Sequence, residues 1–339
     1  MRVFRILGCF SALAVFTQGA LATVVVDRAP LIGTSATVTL LPSGKYRVAL
    51  STSVTSQPTT FTVRGDSGDQ LENVTIAANV PQSVLLTIRG QNPGNSLQSV
   101  DLIDSTGATA TVVLSDILTS GDVGQIRVNA INDANIGGNV TGGLTLFQRS
   151  GGGQSTITRT RIEGDLLGNV DVSYGSVLNL DVGRKIGASA ALPITMTVRD
   201  NIFRLVGGEI HANITANGST DNLVQHIKAT GANGTSGDFT GSLSTKRLTC
   251  GDCGAGAARG FEVLRNLDAD LTFSHGVFDP IKMYYSLNGD ITIGTVGQPA
   301  TYVSNQVIIN ASGLDAGTWS GDVSVASGSG FITVAPKLN

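Results

Sequence analysis

A short unit recurs along most of this chain, and it constrains the possible folds more than any other feature. The unit is glycine (alanine in one copy), then an acidic or amide residue, then an apolar residue. The second residues of its eight copies are Asp122, Asn139, Asp165, Glu209, Asp238, Asp270, Asp290 and Asp322. If the long step from Asp165 to Glu209 contains a degenerate copy, the period lies roughly in the twenties, which is typical of repeat architectures.

The residues of the unit predict a tight turn followed by a strand. Glycine adopts positive φ without steric cost, and Asp or Asn tolerates the left-handed region and bonds its own backbone. After the turn, apolar and polar residues alternate, as in Leu178, Leu180 and Val182. An alternation with period two indicates a strand with one buried face and one exposed face. The chain is therefore predicted to be all-β.

Among all-β folds the repeat favours a parallel β-helix, also called a β-solenoid. An α-solenoid would need runs of Ala, Leu, Glu and Lys, whereas this chain is rich in Gly, Thr, Ser and Val. Propeller blades of roughly 40–45 residues are longer than the observed step. A Greek-key or jelly-roll β-sandwich is the second choice.

Three segments are predicted. Residues 1–22 have the pattern of a secretory signal peptide, with Arg2 and Arg5, an apolar stretch and a small-residue cleavage site. The apolar stretch is too short to span a membrane comfortably as an anchor. Residues 23–115 are β without the clear repeat, either a cap with the first irregular coils or a small separate sandwich. Residues 116–339 are predicted to form the β-helix.

Charge and composition limit the partners. Only 14% of the residues are charged, and the formal net charge of −3 becomes −5 once Arg2 and Arg5 are removed. This argues against nucleic acid or anionic lipid as the main partner. No later segment is apolar enough to cross a membrane. We expect a secreted protein, extracellular or at the cell surface, with the periplasm as an alternative.

Cys250 and Cys253 form the single Cys-x-x-Cys motif. It lacks the second pair of ligands that a zinc site needs and the following helix of a redox motif. In an oxidising compartment we predict a disulfide that fixes this loop. No metal site is predicted.

Paired acids matter because β-helix folds often carry polysaccharide lyases and hydrolases. The candidate pairs are Asp101 with Asp104, Asp268 with Asp270, and Asp165 with Asp171, and the candidate basic residues are Arg247, Arg259 and Lys282. Two carboxylates across a groove can act as acid and base, or several can hold calcium, the one cofactor considered. The turn position of Asp165, Asp270 and their equivalents gives these acids a structural explanation instead.

Threonines at alternate positions occur twice, at Thr156, Thr158 and Thr160, and at Thr195 and Thr197. Ordered threonine arrays on a solenoid face can bind ice or crystalline polysaccharide. One ladder is not an array, so this pattern is a minor hypothesis.

From Gly121 onward, the copies GNVTGGL, GDLLGNVDV, GDFTGSL and NLDADLTF, and the closing QVIINASGLDAGTWSGDVSV, are similar to a known group. They resemble secreted, Gly-Asp-rich solenoid proteins of planctomycete-type bacteria, which have no assigned activity. The resemblance covers roughly residues 118–335 and implies a right-handed parallel β-helix outside the cytoplasm. The N-terminal segment and the Cys250–Cys253 loop fall outside it.

Two functions follow as hypotheses. The first is a non-catalytic extracellular or cell-surface scaffold that is structural or adhesive and binds carbohydrate or a cell-surface protein. The second is a polysaccharide lyase or glycoside hydrolase on the same fold, with Asp101, Asp268 or Asp270 and either Arg247 or Lys282 in one groove. The scarcity of aromatic residues, 5% of the chain, favours the scaffold because sugars stack on aromatic rings.

Overall fold

The structure is a computed structural model that describes residues 24–28, 31–54, 57, 59–65, 71–78, 83–90, 97–103, 111–119, 121–149, 152–216, 218, 223–249, 260–277, 279–294, 302–309, 320–325 and 330–336. Over these residues the protein consists of strands, turns and loops without an α-helix. The predicted signal peptide and the predicted Cys250–Cys253 disulfide lie outside the described residues. The all-β prediction is confirmed.

The strands are short, as the alternation predicts. The first eleven are β1 (Val24–Arg28), β2 (Thr34–Leu40), β3 (Tyr46–Thr52), β4 (Thr59–Gly65), β5 (Leu71–Ala78), β6 (Ser83–Gly90), β7 (Leu97–Ile103), β8 (Thr111–Thr119), β9 (Val123–Val128), β10 (Ala130–Ile131) and β11 (Ala134–Ile136). The next eleven are β12 (Val140–Leu146), β13 (Ser155–Ile157), β14 (Thr160–Ile162), β15 (Val170–Val172), β16 (Gly175–Val177), β17 (Leu180–Val182), β18 (Lys185–Ile186), β19 (Ile194–Val198), β20 (Leu205–Gly207), β21 (Glu209–Ala216) and β22 (Leu223–Val224). The last ten are β23 (His226–Ala229), β24 (Phe239–Leu248), β25 (Gly260–Val263), β26 (Asn266–Val277), β27 (Ile281–Met283), β28 (Ser286–Leu287), β29 (Ile291–Ile293), β30 (Tyr302–Ile309), β31 (Val323–Val325) and β32 (Gly330–Pro336).

Two long ladders organise these strands. Ladder 1 runs β1–β4–β6–β8–β11–β14–β17–β20–β23–β25–β27–β30–β32. Ladder 2 runs β2–β3–β5–β7–β9–β12–β15–β19–β21–β24–β26–β29–β31. Every pairing in both ladders is parallel except the first of each, β1–β4 and β2–β3. This repeated, mostly parallel pairing is compatible with a β-solenoid, whereas a Greek-key sandwich is antiparallel.

The core is formed by the buried faces of the two ladders together with those of the short strands β10, β13 and β16, which pair in parallel beside them. Its buried side chains form one cluster, mostly Val, Ile and Leu, that extends from Val24 to Ile293. Within it, Phe239 of ladder 2 and Phe261 of ladder 1 make an edge-to-face contact with ring centroids 5.0 Å apart. In each ladder the buried residues of successive strands are in register, so each strand covers the apolar face of the strand before it.

The proposed boundary between residues 115 and 116 falls within β8. This strand pairs with β6 before it and with β10 and β11 after it, all in parallel. The 23–115 segment therefore contributes strands to the same two ladders as the rest of the chain. The antiparallel strands β1 and β2 stand at the N-terminal end of these ladders.

The long step from Asp165 to Glu209 contains one degenerate copy, at Lys185. Its backbone N–H donates to Asp165 Oδ1 at 2.9 Å, and Lys185 is in register with Glu209. Lys185 therefore lies in the stack between the regular copies at Asp165 and Glu209. A lysine here explains why the sequence pattern fades without a break in the structure.

The turn glycines have a different role from the one predicted. Of the repeat's glycines, all within the described part of the chain, only Gly237 has positive φ, at 83°. Gly289 and Gly321 are required by close packing instead, because a Cβ on Gly289 would overlap the backbone of Ala269 and one on Gly321 that of Gly289. Glycine in this repeat thus lets successive turns approach each other.

Candidate functional site

The acidic and amide residues of the repeat lie in two rows that follow the stacking direction of ladder 2. The first turn row is Asp122, Asn139, Asp165, Lys185, Glu209, Asp238 and Asn266. The second turn row is Asn169, Thr195, Asn213, Ser242, Asp270, Asp290 and Asp322. Members of both rows alternate with buried residues; most of the first row stands at or just before the start of a strand, whereas Asn213, Ser242 and Asp270 of the second row lie inside strands.

Side chains of these rows accept hydrogen bonds from the backbone of the next repeat. Asn139 Oδ1 accepts from the N–H of Asp165 at 2.7 Å, and Asp290 Oδ1 accepts from that of Asp322 at 2.9 Å. Asp122, Asp165, Asp238 and Asp270 accept equivalent bonds of 2.6 to 3.0 Å. The prediction that these acids bond their own turns is wrong for these residues. They satisfy backbone N–H groups of the next repeat and hold the turns together.

One part of the first turn row is an ion-pair cluster. Lys185 Nζ lies 2.8 Å from Glu209 Oε2, and His211 Nε2 lies 3.6 Å from the same oxygen. Ser236 Oγ donates to Glu209 Oε1, and His211 Nδ1 is hydrogen-bonded to Thr240 Oγ1 at 2.7 Å. The Glu209 side chain is only 11% exposed, so substrate has little access to this cluster.

Burial and charge act in opposite directions on this cluster. Burial alone would raise the pKa of Glu209, but the hydrogen bonds of Lys185 and Ser236 and the nearby positive charges lower it to about 2. Burial lowers the pKa of His211, and the charge of Lys185 adds to this effect although Glu209 opposes it. Glu209 therefore stays ionised and paired at neutral pH.

A third row, on the outward face of ladder 2, consists almost entirely of hydroxyl side chains. The register places one member in each of eight successive strands, and Asp171 is the one member that is not a hydroxyl. We call this set the hydroxyl row: Thr145, Asp171, Thr197, Thr215, Ser244, Thr272, Thr292 and Ser324.

The hydroxyl row points outward and is largely unused by the protein. Its members alternate with buried residues along each strand and are half-buried or exposed. Ser324 Oγ donates to Thr292 Oγ1 at 3.4 Å. Across the described residues, no hydrogen bond engages the hydroxyls of Thr145, Thr197, Thr215, Ser244 or Thr272. These groups are available to a ligand.

The two threonine patterns in the sequence have different outcomes. Thr156, Thr158 and Thr160 do not form an exposed ladder, because Thr160 is fully buried and Thr158 lies between β13 and β14. Thr195 and Thr197 do belong to an array. The alternate positions in the next strands are Asn213 with Thr215 and Ser242 with Ser244.

Asp104 lies outside the described residues, and Asp101, Asp268 and Asp270 lie on ladder 2 but not at one place. Asp268 and Asp270 are both exposed on β26, where Asn288 Nδ2 donates to Asp268 Oδ1 at 2.5 Å. Asp101 is in β7 and pairs with Arg127 in β9; its side chain is outside the described residues. Seven strand steps separate β7 from β26 along the ladder, or roughly 34 Å at about 4.8 Å per step. Asp101 and Asp270 therefore do not share one groove.

Of the predicted basic residues, Arg259 lies outside the described residues, and Arg247 and Lys282 lie away from these acids. Arg247 is half-buried near the end of β24, in register with Leu223 and Gly276. Lys282 is on ladder 1, in register with Glu262. The grouping of Asp268 or Asp270 with Lys282 is thus divided between two ladders.

Lys282 belongs to a cluster that the sequence did not indicate. Glu262 lies in register between Lys228 and Lys282, and its Oε1 accepts hydrogen bonds from Lys228 Nζ at 3.0 Å and Tyr284 Oη at 3.1 Å. Burial would raise the pKa of Glu262, but Lys228, Tyr284 and Lys282 together lower it. Burial and the charge of Glu262 raise the pKa of Tyr284.

In the described part of the chain, no three His, Cys, Asp or Glu side chains come together as a metal-binding group. A helix suited to crossing a membrane is likewise missing from these residues. The carboxylates that the geometry does group together, such as Glu209 and Asp238 around Ser236, belong to the first turn row.

Comparison with known proteins adds no functional assignment. No protein-family model matches the chain, and no curated protein matches its sequence.

Proposed function

We propose that this protein is a secreted or cell-surface, non-catalytic scaffold with the fold of a right-handed parallel β-helix, and that it binds carbohydrate or a cell-surface protein. The resemblance to secreted Gly-Asp-rich solenoid proteins and the pattern of residues 1–22 support the location. The mostly parallel pairing of two long ladders supports the fold.

The main observation behind the proposal is that the polar residues on ladder 2 are of two kinds: turn acids bonded to the next repeat, and outward hydroxyls, most of them without a bond. The acids of the turn rows are engaged in bonds between repeats, so they are poorly placed to act as catalytic acid and base. Five hydroxyls of the hydroxyl row, those of Thr145, Thr197, Thr215, Ser244 and Thr272, have no hydrogen-bond partner in the described structure. A surface with many equivalent weak donors and acceptors suits multivalent contact rather than a single reaction.

The dimensions fit this role. Ladder 2 contains thirteen described strands, which at about 4.8 Å per step makes a stack roughly 58 Å long. An extended ligand or surface can therefore make many contacts at once, and each contact can be weak.

A polysaccharide panel tests the proposal. We expect the purified chain to be retained by at least one insoluble polysaccharide or cell-wall preparation, with and without calcium, and to release no soluble or unsaturated sugar. Reproducible turnover would contradict a non-catalytic role. N-terminal sequencing of the mature protein should begin at residue 23 if the signal peptide is removed as predicted.

One cluster favours the alternative, a polysaccharide lyase or glycoside hydrolase. Lys228, Lys282 and Tyr284 surround Glu262 on an outward strand face, so basic and acidic groups are close together. However, the lowered pKa of Glu262 makes its carboxylate a weak base, and Lys228 and Tyr284 already occupy it. If turnover is found, loss of that turnover in Glu262→Gln and Lys282→Met would place the reaction here.

A further inference from the structure

The chemistry of the hydroxyl row defines the kind of ligand it can hold. Each hydroxyl donates one hydrogen bond and accepts up to two. A complementary ligand must offer both donors and acceptors, repeatedly and at a fixed interval. Polyhydroxylated polymers have this property, whereas an apolar surface does not.

The spacing of the row further restricts the ligand. Parallel strands repeat at about 4.8 Å, so seven steps from Thr145 to Ser324 extend roughly 34 Å. One pyranose unit in an extended glycan chain has nearly the length of one step. A chain lying across the strands would therefore present a new sugar to each hydroxyl, whereas a coiled glycan would lose register after a few units.

The acids beside the last three members of the row, Thr272, Thr292 and Ser324, disfavour acidic polymers at that end. The second turn row runs two residues away on the same strands, and its members Asp270, Asp290 and Asp322 are exposed. Their carboxylates accept hydrogen bonds from sugar hydroxyls and repel uronate or sulfate groups. On the other side of the row are Arg199, which pairs with Asp200, and Lys246.

We infer that the hydroxyl row binds one chain of a neutral, extended polysaccharide that runs across strands β12 to β31. This inference rests on the proposed scaffold function and names its ligand class and its binding face. The threonine methyl groups contact the sugar rings, the hydroxyls bond to the sugar hydroxyls, and the acids of the second turn row line one edge.

The test measures binding of the full chain to soluble oligosaccharides by calorimetry. The series from cellobiose to cellohexaose supplies extended neutral chains of increasing length. Affinity should rise with each added sugar, because each one reaches a further hydroxyl. Maltohexaose, which is neutral but coiled, and polygalacturonate, which is extended but acidic, should bind much more weakly.

Two double variants separate the row from the rest of the surface. Thr215→Val with Thr272→Val removes two hydroxyls but keeps the β-branched shape, and should weaken cellohexaose binding roughly tenfold. Thr156→Val with Thr158→Val makes the same chemical change outside ladder 2 and should leave binding unchanged. Both variants should unfold at the temperature of the wild-type chain.

Several results would overturn the inference. They are unchanged cellohexaose binding by the Thr215 and Thr272 variant, equal binding of polygalacturonate, or no binding of cellohexaose by the wild-type chain. If the wild-type chain binds another polymer, ice or a cell-surface protein instead, this inference fails but the scaffold function stands. If the chain cleaves the oligosaccharides, the scaffold function itself fails.

Discussion

The second turn row and the hydroxyl row are neighbours on the same strands, yet the fold uses them in opposite ways. Asp290 Oδ1 accepts a hydrogen bond from the backbone N–H of Asp322, while the hydroxyls of Thr272 and Thr215 have no hydrogen-bond partner in the described structure. Both rows are polar, outward and in register. Polarity and exposure alone therefore do not separate structural residues from available ones.

The difference follows from where each row meets the backbone. Asp290 and Asp322 lie immediately before β29 and β31, and their N–H groups donate to a side-chain oxygen of the preceding repeat rather than to a ladder carbonyl. Hydroxyl-row residues lie inside the strands, where the ladder already pairs the backbone. A polar side chain is therefore needed for stability in the turn row, whereas in the hydroxyl row it is not needed to satisfy the backbone.

The largest effect on stability is expected at Glu209. Here the carboxylate of the first turn row pairs with the Lys185 side chain, whereas other members of the row accept a hydrogen bond from a backbone N–H. The Glu209 carboxyl has a pKa of about 2 in the folded state against an ordinary value of 4.5. Its stabilising contribution, on the order of 3 kcal/mol, is complete above the unfolded pKa and is lost as pH falls from 4.5 towards 2. Urea unfolding of Glu209→Gln should therefore show a deficit at pH 7 that shrinks on acidification.

Glu163→Gln is the matched control for this measurement. Glu163 is exposed and lies 3.7 Å from Arg161, so its removal should change stability by less than about 0.5 kcal/mol. A pH-independent deficit in Glu209→Gln would show that the ion pair does not act as the structure indicates.

The next largest effect tests the close packing of the turns. Gly289→Ala places a methyl group against the backbone of Ala269, and we expect a loss of about 2 kcal/mol in the free energy of unfolding. A glycine with open space around it would instead gain about 0.4–1 kcal/mol from the same substitution. The sign of the change in unfolding free energy therefore shows whether close packing requires glycine at position 289. A stabilised Gly289→Ala variant would contradict this requirement.

A smaller effect is expected when a single turn acid is removed. Asp165→Ala deletes the acceptor of the Lys185 N–H and should cost about 1–2 kcal/mol. Asp165→Asn retains an acceptor of the kind that Asn139 provides one repeat earlier, so it should recover most of the stability. Equal losses in both variants would mean that charge, rather than the hydrogen bond, matters at this position.

The sequence predicted the strands better than it predicted what their polar residues do. Alternation around Leu180 and Ile194 indicates strands directly, and the degenerate copy on which the repeat period depended is found at Lys185. The partners of the turn acids were not predictable in this way, because Asp bonds its own turn in most local contexts.

The hydroxyl row was hidden for a different reason. Its members are separated by irregular connections: Thr197 and Thr215 are 18 residues apart, whereas Thr215 and Ser244 are 29 apart. Only the register of the folded ladder brings them into line. The only local sign in the sequence is a pair of alternate threonines such as Thr195 and Thr197. The same pattern at Thr156, Thr158 and Thr160 does not belong to an exposed array, so the pattern alone does not identify the row.

The smallest effect on stability is expected in the hydroxyl row, and it completes the comparison with the turn rows. Thr215→Val with Thr272→Val should change the free energy of unfolding by less than about 0.5 kcal/mol, because neither hydroxyl is bonded and valine suits a strand. Denaturant unfolding beside Asp165→Ala measures both rows on one scale. A loss in the Thr215 and Thr272 variant as large as that of Asp165→Ala would mean that the hydroxyls support the fold, and the face would then not be free for a ligand.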